Sequence, residues 1–458
     1  MYATSSISLS VLSPQTWPFG LQWLPQPAYL VGGVVRDALL GRHADYLDLD
    51  FVMPEKAVET AQAIAHHHKA GFVLLDAERQ IARVVFEQAT ADFAQQMGSS
   101  LEIDLQRRDF TVNAIAYNPH TEELIDPLEG FVDLKQSSIR MVASENLRED
   151  PLRLLRAYRQ AAQLGFSLDA ETRAVIRQFS PYLSQVAAER IQSELNYLFG
   201  SVQGTPWLTA AWQDGLLQAW LPQATAQSLA QIAAIDRSAI SLVAACPSFK
   251  AELYASLRHT TKASRKGTKN SSSATGNKSA NSNSGVESGA AKAKLAGDHR
   301  TWITVAKLAS LLSLDLAQAE VELLNLKYSR AEIQAALTII KFLPQLQAVS
   351  VTDGLSCREQ YFLFQSVGPV FPALMVRALA VGVPISVLLG LIERFLTPDD
   401  PVAHPMPLVS GQDLMTHLKL AAGPQIGQLL AEIQLARAEG LITTPANALE
   451  LAAKMTKL

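Results

Sequence analysis

Two aspartates separated by one residue, Asp48 and Asp50, form the pattern in this chain that most directly indicates chemistry. Aspartate alternates with apolar residues around them, which predicts a strand over 47–53. Residues i and i+2 of a strand point to the same face, so the two carboxylates should project together. Their repulsion would be relieved by Mg²⁺, which prefers carboxylate and phosphate oxygens. Two such ions could activate a hydroxyl and stabilise a leaving pyrophosphate, and Asp92 is a candidate third carboxylate.

A glycine pair, Gly32-Gly33, lies between a predicted strand and a predicted helix upstream of these acids. Glycines at this point let the backbone approach a ligand closely, and the helix start favours an anionic phosphate. Arg36 would lie in the first helical turn, where it can reach a phosphate. The structural alternative is a tight turn with Arg36 paired to Asp37 or Asp45. The pattern is neither the dinucleotide fingerprint nor a P-loop.

Adjacent arginines, Arg107 and Arg108, precede Asp109-Phe-Thr-Val-Asn113. One of these arginines can reach a triphosphate, while Asp109 caps a helix that runs on to Tyr117. Asn113 would hold the neighbouring loop through side-chain hydrogen bonds. The structural alternative is a helix cap followed by a surface arginine.

Asp150 begins a further cluster in which Arg153, Arg156 and Arg159 recur every three residues. At about 100° per residue these arginines share one broad helix face, which indicates an anionic partner. Asp150 and Arg153 also form an acceptor–donor pair one turn apart. Cytosine and adenine both present an amino donor beside a ring-nitrogen acceptor, so this pair could select C and A over U and G. The structural alternative is Asp150 as an N-cap with proline at the first helical position.

The elements that must position these residues fall into an α+β head followed by a helical remainder. The predicted strands are 29–31, 47–53, 72–75 and 81–86, and the predicted helices of the head begin at 35, 56 and 109. From Pro151 the pattern is helical, beginning with 151–164, 170–178 and 187–199. The predicted domains are an N-terminal extension (1–27), a head (28–145), a helical neck (146–205), a helical body (206–258), a disordered Ser/Gly/Asn-rich insertion (259–298), and a helical body and tail (299–458).

Composition narrows the functional classes. The chain has 458 residues, 48% of them hydrophobic, and a net charge of −4, so any nucleic-acid contact must come from local basic clusters. Two cysteines far apart fit a reducing cytoplasm rather than a disulfide scaffold. The N-terminus lacks the basic region of a secretory signal. The apolar stretch 367–392 is interrupted by prolines and Arg377, which favours buried helices over a membrane span.

Taken together, these motifs closely resemble the class II tRNA nucleotidyltransferase and bacterial poly(A) polymerase family. The matching pieces occur in the family's order: Gly-Gly-Val-Val-Arg-Asp at 32–37, Asp48-x-Asp50, Arg107 to Ala114, Asp126-Pro-Leu-Glu-Gly130 with Asp133-Leu, Glu149-Asp-Pro-Leu-Arg153 with Arg156 and Arg159, and Glu189-Arg-Ile191 with Glu194-Leu195. Gly411-x-Asp413-Leu and Gly423-Pro-x-Ile426-Gly427 resemble the family's tail.

The resemblance implies a nucleotidyltransferase that adds nucleotides from CTP and ATP to the 3′ end of tRNA without a nucleic-acid template. It implies that Asp48 and Asp50 bind Mg²⁺, and that Gly33, Arg36 and Arg107 contact the triphosphate or sugar. Asp150 and Arg153 would act as the protein template for the base, with Arg156 and Arg159 alongside. Neck, body and tail would grip the tRNA.

One departure from the family bears on specificity. The segment from Asp92 to Arg107 is shorter than in many members that add the final A. We therefore expect addition of CC alone, or poor addition of A. Poly(A) polymerase, a catalytically silent RNA-binding protein and a small-molecule nucleotidyltransferase remain alternatives, and the sequence does not determine the oligomeric state.

Overall fold

A computed structural model describes residues 11–42, 46–257, 300–349 and 354–456. The predicted insertion at 259–298 lies outside these residues, as does Asp45. The described residues form two compact units, the first ending at Ala219 and the second beginning at Trp220.

The first unit opens with a mixed sheet and its helices. Its strands are β1 (Tyr29–Val31), β2 (Leu47–Met53), β3 (Gly71–Asp76), β4 (Ile81–Val85), β5 (Ala89–Gln95), β6 (Ala116–Asn118) and β7 (Glu123–Ile125). Its helices are α1 (Gly33–Leu39), α2 (Ala57–His68), α3 (Leu101–Gln106) and α4 (Gly130–Gln136). The sheet order is β3-β4-β5-β2-β1-β6-β7, with β2 and β5 parallel and the other pairs antiparallel.

The central strand β2 owes its orientation to the aromatic cluster on one face. Phe51 stacks on Phe93 of β5 with ring centroids 5.2 Å apart, and Trp17 and Phe19 from the N-terminal segment pack on the same rings. Burial of these rings stabilises that face by roughly 1.5–3 kcal/mol each. Because strand side chains alternate, the opposite face of β2 is left to its polar residues.

The predicted helix from 109 to 117 is wrong. Phe110 is extended, Thr111–Asn113 forms one 3₁₀ turn, and Ala116–Asn118 is strand β6 between β1 and β7. A short apolar run does not distinguish a buried strand from a buried helix by its period. Strand β5 and the short helix α3 carried no prediction of their own.

The remaining elements of the first unit are mostly helical. They are β8 (Ser138–Ile139), α5 (Ser144–Glu149), α6 (Leu152–Leu164), β9 (Ser167–Leu168), α7 (Ala170–Phe179), α8 (Ala188–Gly200) and α9 (Gly204–Gln213). Helix α6 begins and ends within a residue of its prediction and buries one face against α8 and α9. The predicted body began at 206, whereas α9 packs on helices of the predicted neck.

The second unit is helical throughout its described part. Its helices are α10 (Ala226–Ala245), α11 (Phe249–Leu253), α12 (Trp302–Ala309), α13 (Leu316–Asn325), α14 (Arg330–Gln347), α15 (Cys357–Val367), α16 (Phe371–Ala380), α17 (Ile385–Leu396), α18 (Gly411–Leu418), α19 (Pro424–Ala438) and α20 (Pro445–Met455). The last three pack on one another around a core that includes Leu414, Ile433 and Ala448.

Two helical stretches of the second unit are long and apolar enough to meet a composition criterion for a membrane span, namely 226–245 and 357–380. Buried core helices meet the same criterion. The second stretch is interrupted by a 3₁₀ turn at Gly368–Val370, and α16 after it is buried from Phe371 to Ala378. The segment 367–392 thus contains packed helices, as predicted.

Candidate active site

The carboxylate pair lies on one face of β2, as predicted. Asp48 is exposed and Asp50 partly buried, whereas Leu49 between them is fully buried on the opposite face. The parallel register places Asp50 beside Asp92 and Asp48 beside Thr90 of β5. The Thr90 hydroxyl donates to Asp48 Oδ1 at 2.5 Å. The sheet therefore brings three carboxylates from two strands together.

The third carboxylate differs from the other two in its partner. Arg83 of β4 pairs with Asp92, donating from Nε to Oδ1 and from Nη2 to Oδ2, each at 2.5 Å. Both oxygens of Asp92 are thus engaged by one guanidinium, which neutralises the charge. Asp92 lies beside Asp50, and its ion pair with Arg83 would have to open before it could bind a metal ion.

Asp50 is electrostatically strained in the absence of a cation. Burial raises the pKa of its carboxyl to about 7, and the charges of Asp48 and Asp92 act in the same direction against the opposing effects of Arg108 and Arg83. The described residues include no group of three or more His, Cys, Asp or Glu side chains arranged to hold a metal ion. Asp48 and Asp50 nevertheless fit Mg²⁺, which commonly uses one or two carboxylates and completes its octahedron with phosphate and water.

The glycine turn forms the wall beside Asp50. Gly32 has φ +78°, which L side chains rarely adopt, and a Cβ on it would lie 3.4 Å from Arg108 Nη1 and 3.7 Å from Asp50 Oδ2. Helix α1 begins directly after it, with no side chain capping its first N–H groups. Gly32, Asp50 and Arg108 therefore lie close together, at a point where the backbone carries no side chain and the first N–H groups of α1 are uncapped.

Arg36 takes the structural alternative named above. Its Nε and Nη2 donate to the two carboxylate oxygens of Asp37, both at 2.9 Å. Its Nη1 donates to Asn113 Oδ1 at 2.7 Å. Asn113 in turn donates to Asp109 and Gln160, so it ties α1 to helix α6 as a loop-holding residue.

Of the two adjacent arginines, Arg108 and not Arg107 lies beside Asp50. Arg107 is exposed and pairs with Glu149 at 3.0 Å. Sequence reasoning missed Arg108 because the two neighbours are of one type, and only the end of α3 decides which side chain turns towards β2. The predicted cap is also different: Phe110 is the N-cap residue of the 3₁₀ turn, and Asp109 accepts the Phe110 N–H.

Two arginines of α6 form ion pairs with carboxylates of the same chain. Arg156 pairs with the buried Asp109 at 3.2 Å, and Arg159 pairs with Glu194 of α8 at 2.5 Å. Burial by itself would raise the pKa of Asp109, but the Arg156 guanidinium and the Asn113 amide together hold it below its usual value. These two carboxylates are the anions that the arginine pattern of α6 required.

The proposed template pair is held apart in this structure. Arg190 of α8 donates to both oxygens of Asp150, at 3.1 and 2.9 Å, and Arg153 donates to the Asn146 carbonyl at 3.0 Å. The N-cap residue of α6 is Pro151, although Asp150 still accepts the Leu152 N–H at 3.3 Å. The ion pair with Asp150 gives Arg190 a role within the Glu189-Arg-Ile191 motif, to which the sequence analysis assigned none.

Two cavities lie along this face of the head. One, of about 230 Å³, includes Gly33, Arg36, Asp48 and Asp50 in its lining. The other, of about 300 Å³, is lined on one side by Arg107, Arg108 and Glu149, together with Met97, Asp104 and Arg153. The lining of the first cavity includes two carboxylates and a guanidinium, and the second offers guanidinium donors and carboxylate acceptors to a polar ligand.

The glycine of the Asp126–Gly130 motif has a packing role. A Cβ on Gly130 would lie 2.2 Å from the Thr111 carbonyl oxygen, so a larger residue would displace the turn that carries Asn113. Asp126 fixes this approach by accepting the N–H groups of Gly130 and Phe131. The motif therefore supports the site from behind.

Known families match this chain in the same order as its structural parts. Residues 28–140 match the poly A polymerase head domain, 165–228 the probable RNA- and SrmB-binding site of polymerase A, and 297–453 a putative tRNA nucleotidyltransferase domain 2.

Two relatives match over nearly their whole length. A CC-adding tRNA nucleotidyltransferase of Synechocystis sp. is 46% identical over 452 residues, covering 97% of each chain. An A-adding tRNA nucleotidyltransferase of Deinococcus radiodurans is 32% identical over 454 residues, covering 93% of this chain and 94% of its own. This chain belongs to the tRNA nucleotidyltransferase family, and the resemblance found from its motifs is confirmed, as is the prediction of an enzyme.

Solved structures confirm the fold. A CCA-adding enzyme in complex with ATP superposes with a TM-score of 0.67 at 20% identity, over 94% of this chain and 91% of its own. The Thermotoga maritima CCA-adding enzyme complexed with tRNA superposes with a TM-score of 0.64 over 94% of this chain. The predicted α+β head and helical remainder are therefore correct.

Proposed function

We propose that this chain adds cytidine nucleotides from CTP to the 3′ end of tRNA, and that it adds the final A from ATP poorly or not at all. The single observation that carries the proposal is the convergence of Gly32, Asp50 and Arg108 beside two cavities suited to a nucleoside triphosphate. We place the reaction in the cytoplasm, in keeping with two cysteines that form no disulfide in the described residues.

Preference for C over A rests on two further observations. The relative at 46% identity is named for CC addition, and the one named for A addition is only 32% identical. The connection between β5 and α3 is also short, since it contains only Gln96 to Ser100. A connection of five residues leaves little room for a loop that could rearrange the base cavity between two nucleotides.

The metal site of the proposal consists of Asp48 and Asp50. Bound Mg²⁺ would supply charge neutralisation of the triphosphate and activation of the terminal ribose hydroxyl of tRNA, as in two-metal nucleotidyl transfer. The two carboxylates would hold the cation through their shared face of β2. Asp92 would join them only after release by Arg83.

Triphosphate and base would be held by different parts of the first unit. Arg108 and the uncapped N–H groups at the start of α1 would bind the phosphates, and Arg107 lines the adjoining cavity. Asp150 and Arg153 would read the base, after Arg190 and the Asn146 carbonyl exchange their hydrogen bonds for those to cytosine. Arg156 and Arg159 would keep α6 in place through Asp109 and Glu194.

Poly(A) polymerase is the second candidate function, because the head matches a model of that description. The full-length matches to tRNA nucleotidyltransferases, together with the tRNA nucleotidyltransferase model over 297–453, favour tRNA as the acceptor.

The experiment that tests the proposal is incorporation of labelled CTP and ATP into three tRNA transcripts ending before CCA, after C and after CC. We expect extension of the first two transcripts by CTP and little extension of the third by ATP. Complete CCA synthesis would contradict the CC-only proposal while keeping the enzyme class. Long A tracts on any RNA would favour poly(A) polymerase.

A further inference from the structure

Asp104 lines the cavity that contains Arg107, Arg108 and Arg153 but belongs to none of the motifs singled out in the sequence. It is on the short helix α3 and is only 7% exposed. Its Oδ1 accepts the Met97 N–H at 3.0 Å, and its Oδ2 accepts Arg108 Nη2 at 3.1 Å. One buried carboxylate therefore holds the connection that follows β5 and also the guanidinium beside Asp50.

The connection that Asp104 holds is tightly built. Gly98 has φ +85°, and a Cβ on it would lie 2.5 Å from Ile103 Cγ2, so both backbone and space require glycine there. Ser100 caps α3 by accepting the Ile103 N–H at 3.4 Å. The connection and the start of α3 thus form one unit whose position is coupled to that of Asp104.

Arg108 is placed between two carboxylates. Nη2 binds Asp104, Nη1 lies over Gly32 towards Asp50, and the buried Nε has no hydrogen-bond partner among the described residues. A guanidinium on a long flexible stem would turn fully to Asp50 if nothing restrained it, because that carboxylate carries the repulsion of its neighbours. Pairing with Arg108 would then compete with metal and triphosphate at Asp50.

We propose that Asp104 is a positioning residue for nucleotide addition: it holds Arg108 where the guanidinium can meet the triphosphate while Asp50 stays open, and it couples this position to the connection at Gln96–Ser100. This inference rests on the proposed function. The short connection would thereby affect nucleotide binding, because its residue Met97 lines one cavity with Asp104, Arg108 and Arg153.

The test is a double-mutant cycle between Asp104→Asn and Arg108→Lys, with steady-state CTP incorporation into a tRNA transcript lacking CCA. We expect Asp104→Asn to raise the KM for CTP about tenfold, a loss of about 1.4 kcal/mol of nucleotide binding, with kcat changed less. In the Arg108→Lys background the same change should alter the KM less than about twofold. Independent, multiplying effects in the cycle would overturn the proposal.

The same kinetic constants distinguish a positioning role of Asp104 from a merely structural one. Partial unfolding lowers the active fraction and thus the apparent kcat, but leaves the KM for CTP unchanged, which would count against the proposal. Glu102→Gln is the matched control, because Glu102 is an exposed acid on the same helix. It should leave both constants unchanged.

The contribution of the connection is tested by Gly98→Ala, which strains the turn without touching either ion-pair partner. We expect the KM for CTP to rise in the same direction as in Asp104→Asn. An unchanged KM for CTP in Gly98→Ala would overturn the coupling to the turn. If the unaltered enzyme itself fails to incorporate CTP, the proposed function fails, whereas normal incorporation with an unaffected Asp104→Asn variant refutes only the inference about Asp104.

Discussion

The acidic face formed by β2 and β5 and the arginine face of α6 differ in how their charges are paired. On the acidic face, Asp48, Asp50 and Asp92 are brought together, and of these three only Asp92 has a full ion-pair partner within the described residues. On α6, Arg156 and Arg159 each meet a carboxylate, one buried and one nearly so. Both regions appear as charged clusters in the sequence. In the structure, Asp48 and Asp50 repel each other without an ion-pair partner in the described part of the chain, whereas Arg156 and Arg159 are each paired with a carboxylate.

The difference distinguishes the candidate active site from the residues that hold the surrounding structure in place. A carboxylate such as Asp50, whose charge is disfavoured by burial and by neighbouring acids, reduces stability, and its presence indicates a ligand that relieves this cost. The compensated arginines of α6 instead connect that helix to the head through Asp109 and to α8 through Glu194. The comparison predicts that mutations of the acids on the β2–β5 face affect activity. Mutations of the carboxylates that pair with the arginines of α6 should affect stability.

The largest effect is expected at Asp50. Asp50→Asn should lower CTP incorporation by about a thousandfold or more, because the proposed Mg²⁺ would lose a charged ligand at the reacting phosphate. Binding of tRNA, measured by filter retention, should stay within about twofold of the parent. A comparable loss of tRNA binding would make Asp50 a structural residue.

Stability should change in the opposite direction at Asp50. Its pKa is raised to about 7 in the fold, so the folded state holds the extra proton between about pH 4 and 7 and its stability falls as pH rises through that window. Metal-free Asp50→Asn should therefore unfold at a higher temperature than the parent at pH 8, and the gap should shrink at pH 5. Mg²⁺ should narrow the gap at pH 8 by stabilising the parent alone.

Asp109→Asn should produce the largest loss of stability on the other side of the comparison. Asp109 pairs with Arg156 and accepts the Asn113 amide, so replacing it should cost about 2–3 kcal/mol in urea unfolding. Because the pKa of Asp109 is lowered, its contribution is present above about pH 4 and is lost as pH falls through the folded-state pKa. The exposed acid Glu145→Gln is the control, with a change within about 0.5 kcal/mol. Equal stability of Asp109→Asn and the control would refute the supporting role.

An intermediate effect is expected at the template pair. Asp150→Ala combined with Arg153→Ala should reduce discrimination between CTP and UTP by about 10- to 100-fold, the value of one good two-point base contact. Competition between the two nucleotides in one reaction measures the ratio directly. A lower rate with unchanged selectivity would leave Asp150 with only its hydrogen bond to the Leu152 N–H.

The smallest effect is expected at Arg190. Its pair with Asp150 is about half exposed on the arginine side, so Arg190→Ala should cost less than about 1 kcal/mol in urea unfolding. That cost should shrink further in about 0.5 M NaCl, because salt screens exposed ion pairs. A loss as large as that of Asp109→Asn would show that exposed and buried pairs contribute alike here.

Local pattern was sufficient for several parts of this molecule. Alternation over 47–53 predicted β2 with its boundaries and the shared face of Asp48 and Asp50, and the apolar period of α6 predicted that helix within a residue. The order of motifs was sufficient for the family. These features depend on side chains that repeat along one element, which a sequence displays directly.

Contacts between distant segments required the tertiary structure. The sequence by itself determined that acids, arginines and glycines of the right types are present in the right order. Only the fold decided that Asp92 lies beside Asp50 but pairs with Arg83, that Arg108 rather than Arg107 turns to the site, and that Arg156 pairs with Asp109. The reason is physical: a charge takes the nearest partner in space, and strand pairing and helix packing bring that partner from 9 to 47 residues away.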